Sequence, residues 1–137
     1  MPKVGRVLET SLYVDRLDRS IDFYERLFGF EKLVADDRFC AFNVSGRQVL
    51  LLFVKGGTTE PIAIPGWIIP PHDGSGPVHI AFSIAADELA AWETQLTDAG
   101  VAIEGRTKWP RGGLSIYFRD PDGHLLELAT PGLWPGY

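Results

Sequence analysis

The order of predicted elements occurs twice along this chain, and this repetition limits the folds that it can adopt. Each half predicts a strand, then a helix that ends at a glycine, then three strands. Glu9 in the first predicted strand precedes Gly29 by 20 residues, and His79 precedes Gly100 by 21 residues. Self-similarity of this kind predicts an α+β fold of two tandem βαβββ modules in a single domain spanning 1–137.

The first module covers about residues 6–55. Its helix is expected over 17–28, with Asp15 or Asp18 as the N-cap and the following glycine as the residue that ends it. Cys40 is the only cysteine, so no internal disulfide can form, and we expect it to be a small apolar strand residue. The four strands of this module are expected near 6–14, 31–36, 38–44 and 48–54.

The second module covers about residues 77–131, and Asp87 is the expected cap of its helix over 87–99. The Asp-Pro-Asp-Gly turn at 120–123 predicts a hairpin between the last two strands. Between the modules, residues 56–76 form a predicted loop rich in Gly, Pro and Thr, and loops of this length are often functional. The strands of the second module are expected near 77–84, 101–107, 113–119 and 124–130.

Charge and hydropathy exclude two classes of partner. The 13 Lys and Arg against 18 Asp and Glu give a net charge of -5, and the basic residues form no stripe that would bind nucleic acid. The sequence begins with no charged-then-apolar leader, and no run approaches the roughly 18 apolar residues of a membrane span. We therefore expect a cytoplasmic protein without a nucleic acid or membrane partner, and the single cysteine fits a reducing compartment.

Glu9, His79 and Glu127 are isolated polar residues, each within an otherwise apolar or small strand-like run. A carboxylate that is buried alone is unstable, so it needs a partner or a cation. Because side chains alternate across a strand, each of the three lies on the smaller and more polar face of its strand. The pattern suggests one shared divalent metal ion. The alternatives are solvent-facing carboxylates paired with basic side chains, and a hydrogen-bonded core histidine.

Other polar and aromatic residues give weaker signals. His72 in the linking loop and His124 after the turn are expected to lie in solvent. The tail 133–137 is apolar for a free end, which predicts docking on the domain or on a partner subunit. Five residues are candidates for a pocket that takes an apolar or aromatic substrate, and the alternative for them is the core or a subunit surface: Phe39, Trp67, Trp109, Ser115 and Tyr117.

Several segments, in this order, resemble the vicinal oxygen chelate superfamily, the group of glyoxalase I, fosfomycin-resistance proteins, bleomycin-resistance proteins and extradiol dioxygenases. The resemblance covers nearly the whole chain and is specific for the superfamily rather than for one reaction. The segments that carry it are 12–14 with 17–24, 27–30, 76–82, and 117–124 leading to Glu127.

The resemblance implies an open, curled barrel around a cavity that holds a metal. It implies that the ligands are Glu9, five residues before Val14, together with His79 and Glu127. It also implies a homodimer in which a site can take ligands from both subunits. One imidazole and two carboxylates suit a divalent ion such as Mn, Fe, Ni, Co, Zn or Mg.

The expected function is therefore a metal-dependent enzyme of the glyoxalase or dioxygenase type, a lyase, isomerase or oxygenase. It would act on a small oxygenated molecule through bidentate chelation, with the metal as a Lewis acid and Glu127 as a candidate catalytic base. The ligand set departs from two known patterns. The ligand set that the resemblance implies for extradiol dioxygenases has two histidines and one carboxylate, whereas this chain has one histidine and two carboxylates. Glyoxalase I has a further carboxylate where this chain has Leu50 or Leu51. The set is nearest the fosfomycin-resistance type, with Glu9 where that group commonly has His.

Two other readings of the same residues stay open. The first is a drug-binding protein of the bleomycin-resistance kind, which sequesters its ligand in an acidic, aromatic-lined groove without metal chemistry; the net charge of -5 permits it. The second is a structural or regulatory protein that has kept the fold, because fold does not determine function.

Overall fold

Two compact units, residues 1–75 and 76–137, make up the computed structural model, which describes all 137 residues. Each unit contains one four-stranded sheet and one α-helix of ten residues or more. That the two units form a single domain stays a prediction. No helix combines the length and apolar character that crossing a bilayer requires.

The sheet of the first unit has the strand order β1-β4-β3-β2, with β1 parallel to β4 and the other neighbours antiparallel. A separate antiparallel hairpin, β5–β6, follows it. The elements of this unit are β1 (Glu9–Val14), α1 (Leu17–Phe28), β2 (Glu31–Ala35), β3 (Phe39–Val44), β4 (Gln48–Val54), β5 (Ile62–Ile64) and β6 (Trp67–Ile69).

The second unit repeats this arrangement, with the strand order β7-β10-β9-β8 and β7 parallel to β10. Its elements are β7 (His79–Ser83), a 3₁₀ turn (Ala86–Glu88), α2 (Leu89–Asp98), β8 (Gly105–Lys108), β9 (Leu114–Arg119) and β10 (Leu125–Ala129). The predicted α+β class with two βαβββ modules is therefore confirmed.

In each unit the apolar face of the sheet is buried. In the first unit α1 packs on β3 and β4, and its Tyr24 is fully buried at 0% exposed. Cys40 on β3 is also 0% exposed, as expected of a small apolar strand residue. Burial of such apolar surface contributes roughly 25 cal/mol per Å². The strand residues at 1% exposure or less include Leu12, Val14, Leu50 and Leu52 in the first unit and Ile116, Phe118, Leu126 and Leu128 in the second.

Three predicted boundaries are wrong. The first strand begins at Glu9 rather than at residue 6, and Leu8 before it is 59% exposed instead of packing against a helix. The strand expected from 101 begins at Gly105, because the Val101 N–H bonds back to the Leu96 carbonyl and closes the end of α2. The linking loop, expected to lack regular structure, contains the β5–β6 hairpin.

The predicted helix caps are also wrong, since neither α-helix has a side-chain cap hydrogen bond. The N-cap of α1 is Arg16 rather than Asp15 or Asp18, and the Asp18 carboxylate accepts a hydrogen bond from the Arg16 guanidinium at 2.9 Å. The N-cap of α2 is Glu88, and Asp87 lies in the 3₁₀ turn before it.

The predicted turns are correct. Gly29 ends α1 in the left-handed region with φ 68°, and its N–H donates to the Glu25 carbonyl at 2.9 Å. Residues 120–123 join β9 to β10 as an antiparallel hairpin, as the Asp-Pro-Asp-Gly turn predicted. The structure also shows that residues 109–113 join β8 to β9 as an antiparallel hairpin.

Candidate functional site

His79 and Glu127 lie side by side on one face of the second sheet. His79 begins β7 and is paired in parallel register with Leu125, the first residue of β10. Because side chains alternate along a strand, Glu127 projects on the same side as Leu125 and therefore as His79. The Nε2 atom of His79 lies 3.2 Å from Oε1 of Glu127.

The orientation of the His79 ring is set by its other nitrogen. Nδ1 lies 2.9 Å from the carbonyl oxygen of Leu125, and a carbonyl oxygen can only accept, so Nδ1 carries a hydrogen. In the neutral ring, Nε2 then has a lone pair directed at a carboxylate oxygen that also accepts. A proton on Nε2 or a metal cation near both atoms satisfies this arrangement, and a ligand histidine typically donates its second N–H in this manner.

Glu127 is buried, at 4% exposed, and its ion-pair partner is His79. Its second oxygen, Oε2, accepts a hydrogen bond from Ser115 Oγ at 2.6 Å. Ser115 Oγ in turn accepts from the indole Nε1–H of Trp109 at 2.8 Å. The carboxylate therefore has one oxygen bonded to the protein and one oxygen facing the imidazole.

Tyr117 completes this group from the neighbouring strand. It is the direct cross-strand partner of Glu127 in the β9–β10 register. Its ring centroid lies 6.4 Å from that of His79, with the two planes inclined at 38°. The predicted pocket residues Trp109, Ser115 and Tyr117 thus lie around Glu127, and Ser115 is buried, at 1% exposed.

The two other predicted pocket residues belong to the first unit. Phe39 on β3 is half-buried and stacks on Phe53 with 5.6 Å between ring centroids. The Arg38 guanidinium lies 5.3 Å from the centroid of the Phe39 ring. Trp67 on β6 is 76% exposed, and Ile68 beside it is 67% exposed.

Glu9, the third candidate ligand, is exposed at the start of β1 in the first unit. No group of three or more His, Cys, Asp or Glu side chains is arranged in the chain to hold a metal ion. The expectation of a buried carboxylate that needs a partner is wrong for Glu9 and holds for Glu127. The His79 side chain is 48% exposed and has Glu127 as its partner.

The strand register identifies the counterpart of Glu127 in the first unit. Glu9 is paired with Val49 across β1 and β4, as His79 is paired with Leu125 across β7 and β10. Two residues beyond these partners lie Leu51 and Glu127. Of the two leucines considered from the sequence, the matching one is Leu51.

A second polar contact, not anticipated from the sequence, joins Tyr13 to His72. The Tyr13 hydroxyl lies 2.6 Å from Nδ1 of His72, so the expectation of a solvated His72 is wrong. The His72 N–H donates to the Thr58 carbonyl at 2.9 Å, and Thr58 Oγ1 donates to the His72 carbonyl, which closes the base of the linking loop. Burial, and then the charge of Asp73, raise the pKa of Tyr13.

His124 is also buried rather than solvated, at 1% exposed. Its Nδ1 lies 2.7 Å from Oδ2 of Asp120, and the other Asp120 oxygen accepts the N–H groups of Asp122 and His124. The pair therefore builds the turn between β9 and β10. An aspartate at the start of a turn often accepts a hydrogen bond from the backbone two residues further on. The position of Asp120 at the start of the Asp-Pro-Asp-Gly turn could therefore have indicated its structural role.

The apolar tail docks on its own unit. This is one of the two alternatives expected from the sequence, the other being a partner subunit. The Tyr137 hydroxyl donates to the Ala129 carbonyl at 2.5 Å, and the Gly132 N–H donates to the Tyr137 carbonyl at 2.7 Å. The Gly113 N–H donates to the Gly132 carbonyl at 3.2 Å, which ties the tail to the loop that follows β8.

The chain is similar to two kinds of thiol transferase, to one over most of its length and to the other over about half. The metallothiol transferase FosB of Bacillus licheniformis is 37% identical over 118 residues, which are 85% of this chain and 70% of that protein. The glutathione transferase FosA of Serratia marcescens is 42% identical over 65 residues, which are 47% of this chain and 44% of that protein.

A solved structure gives the same result for the fold. The crystal structure of lactoylglutathione lyase from Agrobacterium tumefaciens aligns with a TM-score of 0.88 and 32% identity, covering 97% of this chain and 98% of that chain. The family model of the Glyoxalase/Bleomycin resistance protein/Dioxygenase superfamily matches residues 6–128, which is nearly the whole sequence. The resemblance noted in the sequence is thereby confirmed, and the chain belongs to the Glyoxalase/Bleomycin resistance protein/Dioxygenase superfamily.

Proposed function

We propose that this chain is a metal-dependent enzyme of the glyoxalase or dioxygenase type that acts on a small oxygenated molecule. The observation that carries the proposal is the 3.2 Å approach of His79 Nε2 to Glu127 Oε1, with the far side of each group already hydrogen-bonded. Two acceptor atoms that face each other in this way suit a shared cation. Membership of the superfamily, and metallothiol transferase relatives, support the same conclusion.

In this proposal His79 and Glu127 supply two ligands to a divalent cation, and Glu9 supplies the third. Glu9 would come either from the same chain or from the second copy in a homodimer. One neutral imidazole and two carboxylates would balance the charge of a divalent ion, and this set suits Mn, Fe, Co, Ni, Zn or Mg.

A divalent ion held there would supply Lewis acidity to two vicinal oxygens of a substrate. The residues of the chain would supply binding and proton transfer. The Tyr117 ring, 6.4 Å from the His79 ring, offers an aromatic surface to the carbon skeleton of the substrate. Glu127 is the candidate base, since one of its two oxygens has no hydrogen-bond donor from the protein.

Metal analysis of five proteins tests the proposal. Isothermal titration with Mn²⁺ is expected to give binding in the parent, and a loss of at least about tenfold in affinity for Glu9→Gln, His79→Ala and Glu127→Gln. Glu104→Gln is the control, because Glu104 is an exposed carboxylate paired with Arg119 at 2.7 Å. Variants that bind metal as tightly as the parent would exclude this site. A parent that binds no metal but binds an apolar drug-sized ligand would favour the binding-protein alternative.

Mixing two inactive variants tests whether Glu9 comes from a second copy. A heterodimer of Glu9→Gln with Glu127→Gln combines an intact Glu9 from one subunit with intact His79 and Glu127 from the other. If the site is shared between subunits, refolding the two variants together should restore one of two sites in each mixed dimer. If the site lies within one chain, the mixture should bind no more metal than the separate variants.

The names of the relatives favour thiol-dependent chemistry as the reaction class. One is a metallothiol transferase, and the structural relative is a lactoylglutathione lyase. We infer that the small oxygenated substrate reacts with a thiol or already carries one. Parent protein loaded with Mn²⁺ should be assayed on α-ketoaldehydes with glutathione, on fosfomycin with low-molecular-weight thiols, and on diols and catechols without a thiol. Turnover only of the thiol-free compounds would contradict this inference.

A further inference from the structure

A directed series of two hydrogen bonds fixes the carboxylate of Glu127. The indole nitrogen of Trp109 can only donate, so Ser115 Oγ, 2.8 Å away, accepts that bond. Ser115 must then use its own proton toward Oε2 of Glu127 at 2.6 Å, because a carboxylate only accepts. Ser115 and Glu127 are 1% and 4% exposed, so the bond between them is shielded from water.

The beginning of this series is itself held in place by backbone contacts. The Trp109 N–H donates to the Gly113 carbonyl at 2.8 Å, and the Gly112 N–H donates to the Trp109 carbonyl at 2.9 Å. A Cβ atom on Gly113 would lie 2.6 Å from the carbonyl carbon of Gly132, so the loop backbone packs directly on the tail backbone. The backbone that carries the Trp109 side chain is therefore fixed by hydrogen bonds and packing.

We propose that Trp109 and Ser115 are positioning residues that commit Oε2 of Glu127 to the protein and leave Oε1 as the one oxygen for a divalent cation. This inference rests on the proposed function, because it concerns the same cation. His79 has an equivalent restraint, its Nδ1–H bond to the Leu125 carbonyl at 2.9 Å. Partners of this kind behind a ligand typically change metal affinity by about 10- to 100-fold.

Three substitutions separate this role from simple packing. Ser115→Ala removes both bonds, Ser115→Thr keeps a hydroxyl at the same place, and Trp109→Phe removes the donor but keeps an aromatic ring. Ser83→Ala is the control, since Ser83 is an exposed serine on β7. Each protein is freed of metal with a chelator and titrated with Mn²⁺, and the visible spectrum of the Co²⁺-loaded protein reports the ligand geometry.

We expect Ser115→Ala to weaken Mn²⁺ binding by roughly 10- to 100-fold and to change the Co²⁺ spectrum. Trp109→Phe should weaken binding by about fivefold, the effect of one neutral hydrogen bond. Ser83→Ala should bind within about threefold of the parent, inside the spread of surface substitutions. Ser115→Thr keeps the hydroxyl that bonds Glu127, so it should bind Mn²⁺ more tightly than Ser115→Ala. A packing role would instead lower the melting temperature of the metal-free protein and leave the spectrum unchanged.

The outcomes distinguish this inference from the proposed function. If the parent binds Mn²⁺ and both Ser115→Ala and Trp109→Phe bind it with parental affinity and spectrum, the positioning role is wrong while the metal site stands. If the parent binds no metal, both are wrong. Should Ser115→Ala fail to fold, the affinity and spectrum of Trp109→Phe decide the question alone.

Discussion

The Nε2 atom of His79 lies 3.2 Å from Oε1 of Glu127, and no Lys or Arg side chain pairs with either residue. The carboxylate is buried at 4% exposure, whereas the His79 side chain is 48% exposed. A buried carboxylate oxygen that faces the Nε2 lone pair of an imidazole is destabilised unless a proton or a cation lies between the two atoms. The proposed metal site is therefore expected to lower the stability of the metal-free protein.

The Glu127→Gln variant tests whether the buried carboxylate lowers the stability of the metal-free protein. Without metal, its free energy of unfolding should rise by about 1 kcal/mol relative to the parent, because the buried charge is removed and the amide oxygen can still accept from Ser115. Urea unfolding of chelator-treated proteins measures the difference, and added Mn²⁺ should stabilise the parent only. A metal-free variant that is less stable than the parent by more than about 1 kcal/mol would contradict the expectation.

Gly74 has no room for a side chain. A Cβ atom there would lie 2.5 Å from Cδ2 of the Tyr13 ring, and that ring is held by His72 through the 2.6 Å contact. Gly74→Ala should lower the free energy of unfolding by about 1–3 kcal/mol. The control is Gly5→Ala, because a Cβ atom on Gly5 would have no other atom within 4 Å. Thermal denaturation of both variants gives the comparison. Equal melting temperatures for the two variants would indicate that the loop moves away from Tyr13 without cost.

Asp120 supports the turn between β9 and β10 through three contacts, to the N–H groups of Asp122 and His124 and to the His124 ring. Asp120→Ala leaves those donors buried without an acceptor and should cost about 2–4 kcal/mol. Asp98→Ala, at the exposed end of α2, serves as the control. Unfolding in urea at neutral pH gives both values, and a loss below about 1 kcal/mol would show that water replaces the carboxylate.

Cys40 should make stability depend on alkaline pH. Burial raises the pKa of its thiol from 9.0 to about 11, so the folded state holds the proton more tightly than the unfolded state. The stabilisation is complete below pH 9 and is lost as pH rises toward 11. At pH 10 the loss is about 1.4 kcal/mol. The difference in urea stability between pH 7 and pH 10 should therefore be larger in the parent than in Cys40→Ala, and equal differences would contradict the assignment.

Local pattern was sufficient to predict the repeated elements and the turns. Alternating and continuous apolar runs indicated β3, β4, β9 and β10, and glycine identified the end of α1. The cap prediction for α1 failed because the helix begins directly after Arg16, so Asp18 lies within its first turn and bonds the Arg16 side chain. The β5–β6 hairpin was missed because its three-residue strands are too short for a period to be recognised.

The candidate site was predictable in part for the same reason. An isolated Glu127 and an isolated His79 in apolar strands indicated functional residues, and the strand register brings them together. The contact between Tyr13 and His72 spans 59 residues, and no local pattern reports the pairing of a strand with so distant a loop. The burial of Glu9 was overestimated, since Glu9 pairs with Val49 on β4 but is the first residue of an edge strand and is exposed.

Leu51 and Glu127 occupy the same register position in the two sheets, one a hydrocarbon and the other an acid. The two sheets therefore share strand order and register but differ in the side chain at this position. Because Glu9 holds the place of His79, a Leu51→Glu exchange would put two carboxylates side by side in the first sheet, where the second sheet has an imidazole and a carboxylate.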